Sequence, residues 1–377
     1  MIKFSLTALN KKNVSIFIFL VVSFLFSAKY LYRITSYAGI ISLAITLLYF
    51  LLWNKRKFLF SNTEFSKKVV IAALIVFVGC SFYVFKKIPV ETLNVDRWSV
   101  ITSFWDSFFK GEYVYFAKSN MANYPGPMPF YFILALPFYF IGELGYFSIL
   151  GVLLFYFLIE KTIKNHSLKS VSIILILINI PYLWEIACRS NIFLNGSLVL
   201  GVLILFVKQK EFNFKNSLAL GILIGLVLST RNVFVIPLII TFVYYLKRKK
   251  ITIGQTVIIG AITVLTFCLT FIPFVWNYFT EFKTMNPFII QSDVLIPFQY
   301  TLLFILASFL AGFYCKTDNE IYFYSGLILF SSIALYFLYW IILRGFEETF
   351  TNSAADISYF ILCLPFSLYH LLKETEN

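Results

Sequence analysis

Apolar runs of roughly 15–23 residues recur along the chain, each close to the ~20 residues that an α-helix needs to cross a bilayer. They fall at 14–32, 37–53, 69–86, 144–159, 169–184, 190–207, 214–230, 232–246, 254–275, 297–314, 321–343 and 355–371. Several are short, so tilt or local thinning of the bilayer is expected. Sixty per cent of the 377 residues are hydrophobic and 13% are charged, a balance that a lipid-embedded chain needs and a soluble core does not. The expected fold class is therefore all-α: a polytopic transmembrane helical bundle of about 12 helices. No low-complexity linker or internal repeat interrupts it, so residues 1–377 read as one membrane domain. Within it, 1–68 forms an extra helix hairpin and cytoplasmic loop, 69–275 a core with a long external loop at 87–143, and 276–377 the C-terminal helices.

Charge placement gives an orientation. Lys11–Lys12, Lys55–Arg56–Lys57 with Lys67–Lys68, Lys161/Lys164/Lys169, Lys208/Lys210/Lys215 and Lys247–Arg248–Lys249–Lys250 all fall on one side of the expected bundle. Basic loops face the cytoplasm, so both termini are expected there. On that side Lys and Arg outnumber Asp and Glu 20 to 7, while the external side carries 11 of each. The whole net charge of +13 is thus a topology signal, and no nucleic-acid partner is implied. A crossing at 128–142 would put loop 160–169 outside and flip every later cluster, so that apolar stretch is expected to lie at the external interface. The first run, followed by Ser27-Ala28, has features of a cleaved signal, but the second run begins almost at once and the two read as a hairpin.

Cys80, Cys188, Cys268, Cys315 and Cys363 lie in or beside apolar runs without a CxxC spacing, and the two histidines, His166 and His370, exclude a histidine-rich metal site. Chemistry is therefore sought in carboxylates and arginines on the external side.

In loop 87–143, Trp98, Ile101, Trp105, Phe108 and Phe109 recur at helical spacing. Ser99, Thr102, Ser103, Asp106 and Lys110 occupy the other side, which predicts an amphipathic helix lying along the membrane surface. Asp96-Arg97 stands at its start. A carboxylate there can act as a general base or orient a substrate hydroxyl, and it can also simply cap the helix. Asn123-Tyr124-Pro125-Gly126-Pro127 makes a rigid entry to the second interfacial segment, or no more than a turn. Glu185, Arg189 and Asn191 lie between two runs, and Thr230-Arg231-Asn232 interrupts a hairpin. Ionisable residues at membrane depth are costly and are functional candidates, although a loop arginine is often only an interfacial anchor. Arginines bind phosphate in bidentate fashion, and with a carboxylate at a lipid boundary they suit a phosphate-bearing lipid. Glu281, Lys283 and Asp293, or Arg344, Glu347, Glu348 and Asp356, could shape an acceptor site.

In order, NVDRW, a GEYVYF-type stretch, the Pro-rich NYPGPMPFYFILALPFYFIGE, RSNIFLNGS and GILIGLVLSTRN resemble the GT-C superfamily of integral membrane glycosyltransferases, which use polyprenyl-phosphate-linked sugars. That superfamily includes the lipid A aminoarabinose transferase and the protein O-mannosyltransferases. The resemblance covers about 70–275, and the hairpin at 14–53 looks like an addition. It implies a GT-C-like fold, with Asp96 as the catalytic base or acceptor-orienting acid and Arg231 near the lipid phosphate. Arg97, Asn123, Tyr124, Glu185, Arg189, Asn191 and Asn232 join it as donor-phosphate or substrate-binding candidates. Asn191 stands where the family often has an acid, and Arg97 replaces the second acid that often follows the first, so no metal ligand is assigned. No cofactor is expected with certainty, and a divalent metal is the open alternative. The implied reaction is an inverting transfer of a sugar from a polyprenyl-phosphate donor to a membrane lipid or glycan acceptor on the external face. It would pass through an oxocarbenium-like transition state in which positioning and electrostatics do most of the work.

Two other classes fit the same residues: a transporter or flippase of lipid-linked sugars, and a polysaccharide polymerase. A catalytically inactive structural subunit is a fourth reading. Charges at helix ends rather than at mid-helix favour a surface reaction over a conduction path. Low Gly and Ala with much Lys, Asn, Ile and Phe suggests an AT-rich genome, and a bacterial inner membrane is the expected location.

Overall fold

The computed structural model describes residues 10–294, 297–353 and 355–376, with the side chains of 292–294 and 298 left undescribed, so Asp293 lies outside the description. The regular elements among the described residues are all helices, and no strand occurs among them. Six helices are long and apolar enough to cross a membrane: Lys11–Tyr32, Ala38–Leu59, Thr63–Lys87, Gly145–Thr162, Ile253–Val275 and Asp318–Arg344. A seventh span is available if the bent pair His166–Leu177 and Ile180–Ala187 counts as one. These helices are apolar without being buried by protein. In Ile253–Val275 only 22% of the most apolar window is covered, and Val257, Val264 and Leu265 stand exposed. Exposed apolar surface on that scale calls for lipid, and a helix, whose backbone bonds are all internal, is the element that can enter it.

The count of membrane-length helices is lower than the dozen apolar runs. Ile192–Lys208, Phe214–Leu228, Asn232–Lys247 and Gln299–Tyr314 have 10–17 residues. The run 355–371 is divided into the 3-10 turn Ile357–Cys363 and the helix Leu364–Glu376. Polar caps set helix starts here: Asn213 caps the Asn216 amide at 2.9 Å, and Thr252 with Gln255 forms a capping box that starts Ile253–Val275.

The chain divides into two compact units. The first comprises the described residues up to Val76, Phe155–Leu183 and those from Lys316 onward. The expected hairpin forms: Lys11–Tyr32 packs on Ala38–Leu59, with Phe19 against Tyr49, and also on Leu364–Glu376. Where His166–Leu177 breaks, the Tyr49 hydroxyl donates to the Ile178 carbonyl at 2.8 Å, and Ser23 donates to Asn179 Oδ1 at 3.0 Å. These bonds satisfy backbone and amide groups that the break would otherwise leave orphaned.

The second unit, Phe77–Leu154 with Trp184–Cys315, holds every sequence-selected candidate from Asp96 to Asn232. Phe214–Leu228 packs closely on Ile253–Val275. A Cβ placed on Gly221 would lie 2.7 Å from Ile262 Cβ, and one on Gly225 would lie 2.7 Å from the Thr263 carbonyl oxygen. The glycines of GILIGLVLST are therefore a helix-contact device, small residues spaced four apart that let two backbones approach.

The loop 87–143 is built on an aromatic core. Helix Arg97–Phe109 buries Ile101, Phe104 and Trp105, and helix Pro129–Ile141 buries Tyr131, Phe132 and Ala135 against them. Phe104 stacks on Phe132 with ring centroids 3.7 Å apart, and Trp105 Nε1 donates to the Phe132 carbonyl at 3.1 Å. The stripe expected to lie on the membrane surface thus faces protein, with only Phe109 at its end exposed. Pro129 opens the second helix, and Gly142, at φ +81°, closes it.

Candidate functional site

Asp96 sits at the N-terminal boundary of helix Arg97–Phe109, yet its side chain makes no capping bond. The carboxylate instead accepts through Oδ2 from Ser119 Oγ at 3.0 Å and Asn123 Nδ2 at 2.7 Å. The capping explanation for Asp96 therefore fails. The sequence-selected pair Asp96 and Asn123 meets across 27 positions of chain. The turn that delivers Asn123 is itself strapped down: Asn123 N donates to Ser119 Oγ, Ser119 N to Asn123 O, and Ala122 adopts φ +60°. Ser99 donates to Asn120 Oδ1 at 2.6 Å and fixes the same turn to the helix. Both of these bonds to the Asp96 side chain end on one oxygen, Oδ2.

Arg97, the next residue, places its charge in range of Glu185, Cys188 and Tyr131. Tyr131 is the centre of this group. Burial raises its hydroxyl above the ordinary range, Arg231, the Asn191 amide and Arg97 draw it back, and Glu185 pushes it up again. The Arg231 guanidinium lies 5.8 Å from the Tyr131 ring centroid. The helix bearing Tyr131 is docked onto the Ser229–Arg231 junction by its backbone: Met128 N donates to Thr230 O and Tyr131 N to Ser229 O. Ser229 Oγ accepts from Phe130 N at 3.1 Å and contacts Thr270 Oγ1 at 2.6 Å. The Pro-rich turn and the hairpin junction, separated by about a hundred residues in sequence, are thus one construction.

Two amides in this region are buried without hydrogen-bond partners. Asn191 faces the Tyr131 hydroxyl, but neither of its amide atoms is engaged at bonding geometry. Asn195, one turn further on and 0% exposed, is likewise unpaired at both amide atoms. A buried unsatisfied amide costs about 1–3 kcal/mol, so a pair of them marks either trapped water or a place for a polar ligand.

Four sequence candidates have other surroundings. Arg189, at φ +54° and 1% exposed, donates to the carbonyls of Ala187, Phe85 and Ile88 and forms a two-point ion pair with Glu143 at 3.2 and 3.3 Å. Its face rests on the Phe85 ring at 4.9 Å. These contacts make it a tie between loop and helix end. Glu185 accepts from Ser190 Oγ and the backbone amides of Ile192 and Phe193, and so caps the helix Ile192–Lys208. Asn232 is an exposed residue of a short 3-10 turn. Tyr124 lies under Lys118, whose ammonium is 5.3 Å from its ring.

Sequence reasoning did not select Ser119, Tyr131, Glu143 or Asn195. Tyr131 was hidden in a continuous apolar run, and Ser119 in a loop without periodicity. Asn195 could have been found, since it stands four residues after Asn191 on one helical face. Near the loop, burial lifts the Tyr113 hydroxyl, which donates to Met285 O at 2.7 Å, and a hydrogen bond to Asp106 raises Tyr139 to about 12. Ser107, Glu112, Tyr113, Phe116, Ala117 and Lys118 line an open cavity of about 510 Å³. No group of three His, Cys, Asp or Glu able to hold a metal occurs among the described residues. Comparison with protein-family models, curated proteins and solved structures returns no match.

Proposed function

We propose that this protein is an integral membrane glycosyltransferase that moves a sugar from a polyprenyl-phosphate donor to a hydroxyl acceptor, a membrane lipid or glycan, at the non-cytoplasmic face. The observation that carries this reading is the Asp96 carboxylate, held through one oxygen by Ser119 and Asn123 and followed by Arg97, whose charge joins Arg231 around Tyr131 and Asn191. A fixed carboxylate beside concentrated positive charge matches what such a transfer needs. The acceptor hydroxyl attacks the anomeric carbon and gives its proton to Asp96. The bond from that carbon to the phosphate oxygen breaks, its electron pair leaves with the polyprenyl phosphate, and the anomeric configuration inverts. Arg97 and Arg231 stabilise the charge that grows on the departing phosphate. The buried amides of Asn191 and Asn195 supply donors and acceptors suited to sugar hydroxyls.

The same reading includes a GT-C-like bundle in which the shorter apolar helices also enter the bilayer, both termini lie in the cytoplasm, and the location is a bacterial inner membrane. The test is incubation of purified protein with a panel of radiolabelled polyprenyl-phosphate sugars and a lipid extract of the source cells. Label appearing in a new product supports a transferase and names the sugar. Intact donor in a competent extract, with label crossing proteoliposomes, replaces it with a transporter.

A further inference from the structure

The other unit carries an unusual cation. Lys29, in the last turn of helix Lys11–Tyr32, is 2% exposed. Among the described residues no carboxylate lies within ion-pair distance of its ammonium, and its charge contact is the Phe350 ring at 5.8 Å. A helix C-terminus favours a cation, and a ring face adds a little, but neither offsets the desolvation of a lone ammonium. Arg33 follows one turn later, exposed and stacked 5.3 Å from the Tyr30 ring. Through Nη2 it donates to Thr351 O and Ser353 Oγ, both at 3.2 Å. Two cations four residues apart on one helix repel each other unless an anion lies between them.

The segment over this pair is irregular. Glu347–Thr351 forms a single turn of π-helix, and Ser353, a residue with a Cβ, adopts φ +66°. Such geometry is rare and concentrates where a chain performs a task besides packing. Within the π-turn, the Thr349 hydroxyl is completely buried and has no hydrogen-bond partner. The acidic residues of the strap do not compensate Lys29: Glu347 and Glu348 are exposed, and Glu348 accepts from Asn352 at 3.1 Å. Tyr32, Ile34 and Tyr37 beside Arg33 stand exposed, the composition of a helix end at headgroup level.

We infer that Lys29 and Arg33, closed over by the strap Gly345–Ser353, form a binding site for a single phosphate group, namely that of a membrane lipid headgroup. The ammonium supplies a point charge and Arg33 a fork with donors left over. This site is independent of the Asp96 reading and stands or falls without it.

The test is thermal unfolding of the full chain in non-ionic detergent with one of three additions: inorganic phosphate, a diacylglycerol phosphate, or the uncharged diacylglycerol. Wild type is compared with Lys29→Met and Arg33→Gln. The phosphate lipid is expected to raise the wild-type midpoint by several degrees, with little effect on Lys29→Met and roughly tenfold weaker half-saturation for Arg33→Gln. Without additions, Lys29→Met is expected to match or exceed wild type, because a lone buried charge has been removed. A full shift from inorganic phosphate alone assigns the site to a soluble anion and overturns the lipid assignment. An equal shift with uncharged diacylglycerol, or an undiminished shift in both variants, overturns the site. Arg33 is exposed, so its variant keeps the test decisive if Lys29→Met does not fold.

Discussion

Replacing Arg189 with Met tests the division of labour between the arginines. The guanidinium makes a two-point ion pair with Glu143 and donates to three carbonyls, two of them, Phe85 and Ile88, at the end of helix Thr63–Lys87. Methionine fills similar space but leaves Glu143, whose side chain is 19% exposed, without its cation and the carbonyls without their donor. Breaking a buried ion pair from one side costs about 3–5 kcal/mol. The partial exposure of Glu143 and water access to the carbonyls place the expected loss at the lower end, about 3 kcal/mol. Denaturant titration of purified protein in detergent micelles measures it. A double-mutant cycle with Glu143→Gln should return a coupling of at least ~1 kcal/mol, because the two side chains touch. Donor affinity per folded molecule should stay unchanged. Unaltered stability together with lost donor binding would refute the structural assignment and return Arg189 to the phosphate site.

Three further outcomes follow from the packing and the site. Phe104→Ala removes the ring stacked on Phe132 and should destabilise the protein by about 3–5 kcal/mol, read as a lower unfolding midpoint. Gly225→Leu drives a Cβ to 2.7 Å from the Thr263 carbonyl oxygen, so at least ~1–3 kcal/mol of overpacking is expected, with Gly260→Leu, whose added Cβ meets nothing within 4 Å, as the tolerated control. Asn123→Ala removes one of the two bonds that orient Asp96 and should lower transfer by about 10–100-fold with little change in donor KM.

Much of this was legible because a membrane imposes length and polarity on every element. The hairpin Lys11–Tyr32/Ala38–Leu59, the helix over 97–109 and the stop at Gly142 follow from apolar periodicity and cap chemistry. What the amphipathic helix covers was not legible, because an aromatic stripe suits a protein core as well as a lipid surface. Only the partner helix carrying Phe132 decides between them. Phe104 belonged to the stripe by its spacing to Ile101 and Phe108, and its omission concealed the stack on Phe132. The glycines of GILIGLVLST read as part of a family-like signature, whereas their contacts with Ile262 and Thr263 give them a packing reason. Arg189 and Glu185 stood out because charges are rare in such a chain, but charge alone does not reveal whether the partner is a ligand, a carbonyl or a helix end. Asp96 and Asn123 were each visible, while the bond between them, and Ser119 as its third member, required the fold of the loop.

The central claim, that the Asp96 carboxylate takes the acceptor proton in a glycosyl transfer, is tested most directly by Asp96→Asn. Asparagine keeps an oxygen that can accept from Ser119 and Asn123 but removes the base. Single-turnover transfer from labelled polyprenyl-phosphate sugar, measured beside donor binding, is predicted to fall by about 10²–10⁴-fold while donor affinity and the unfolding midpoint hold. Transfer at the wild-type rate by the folded variant would contradict the account.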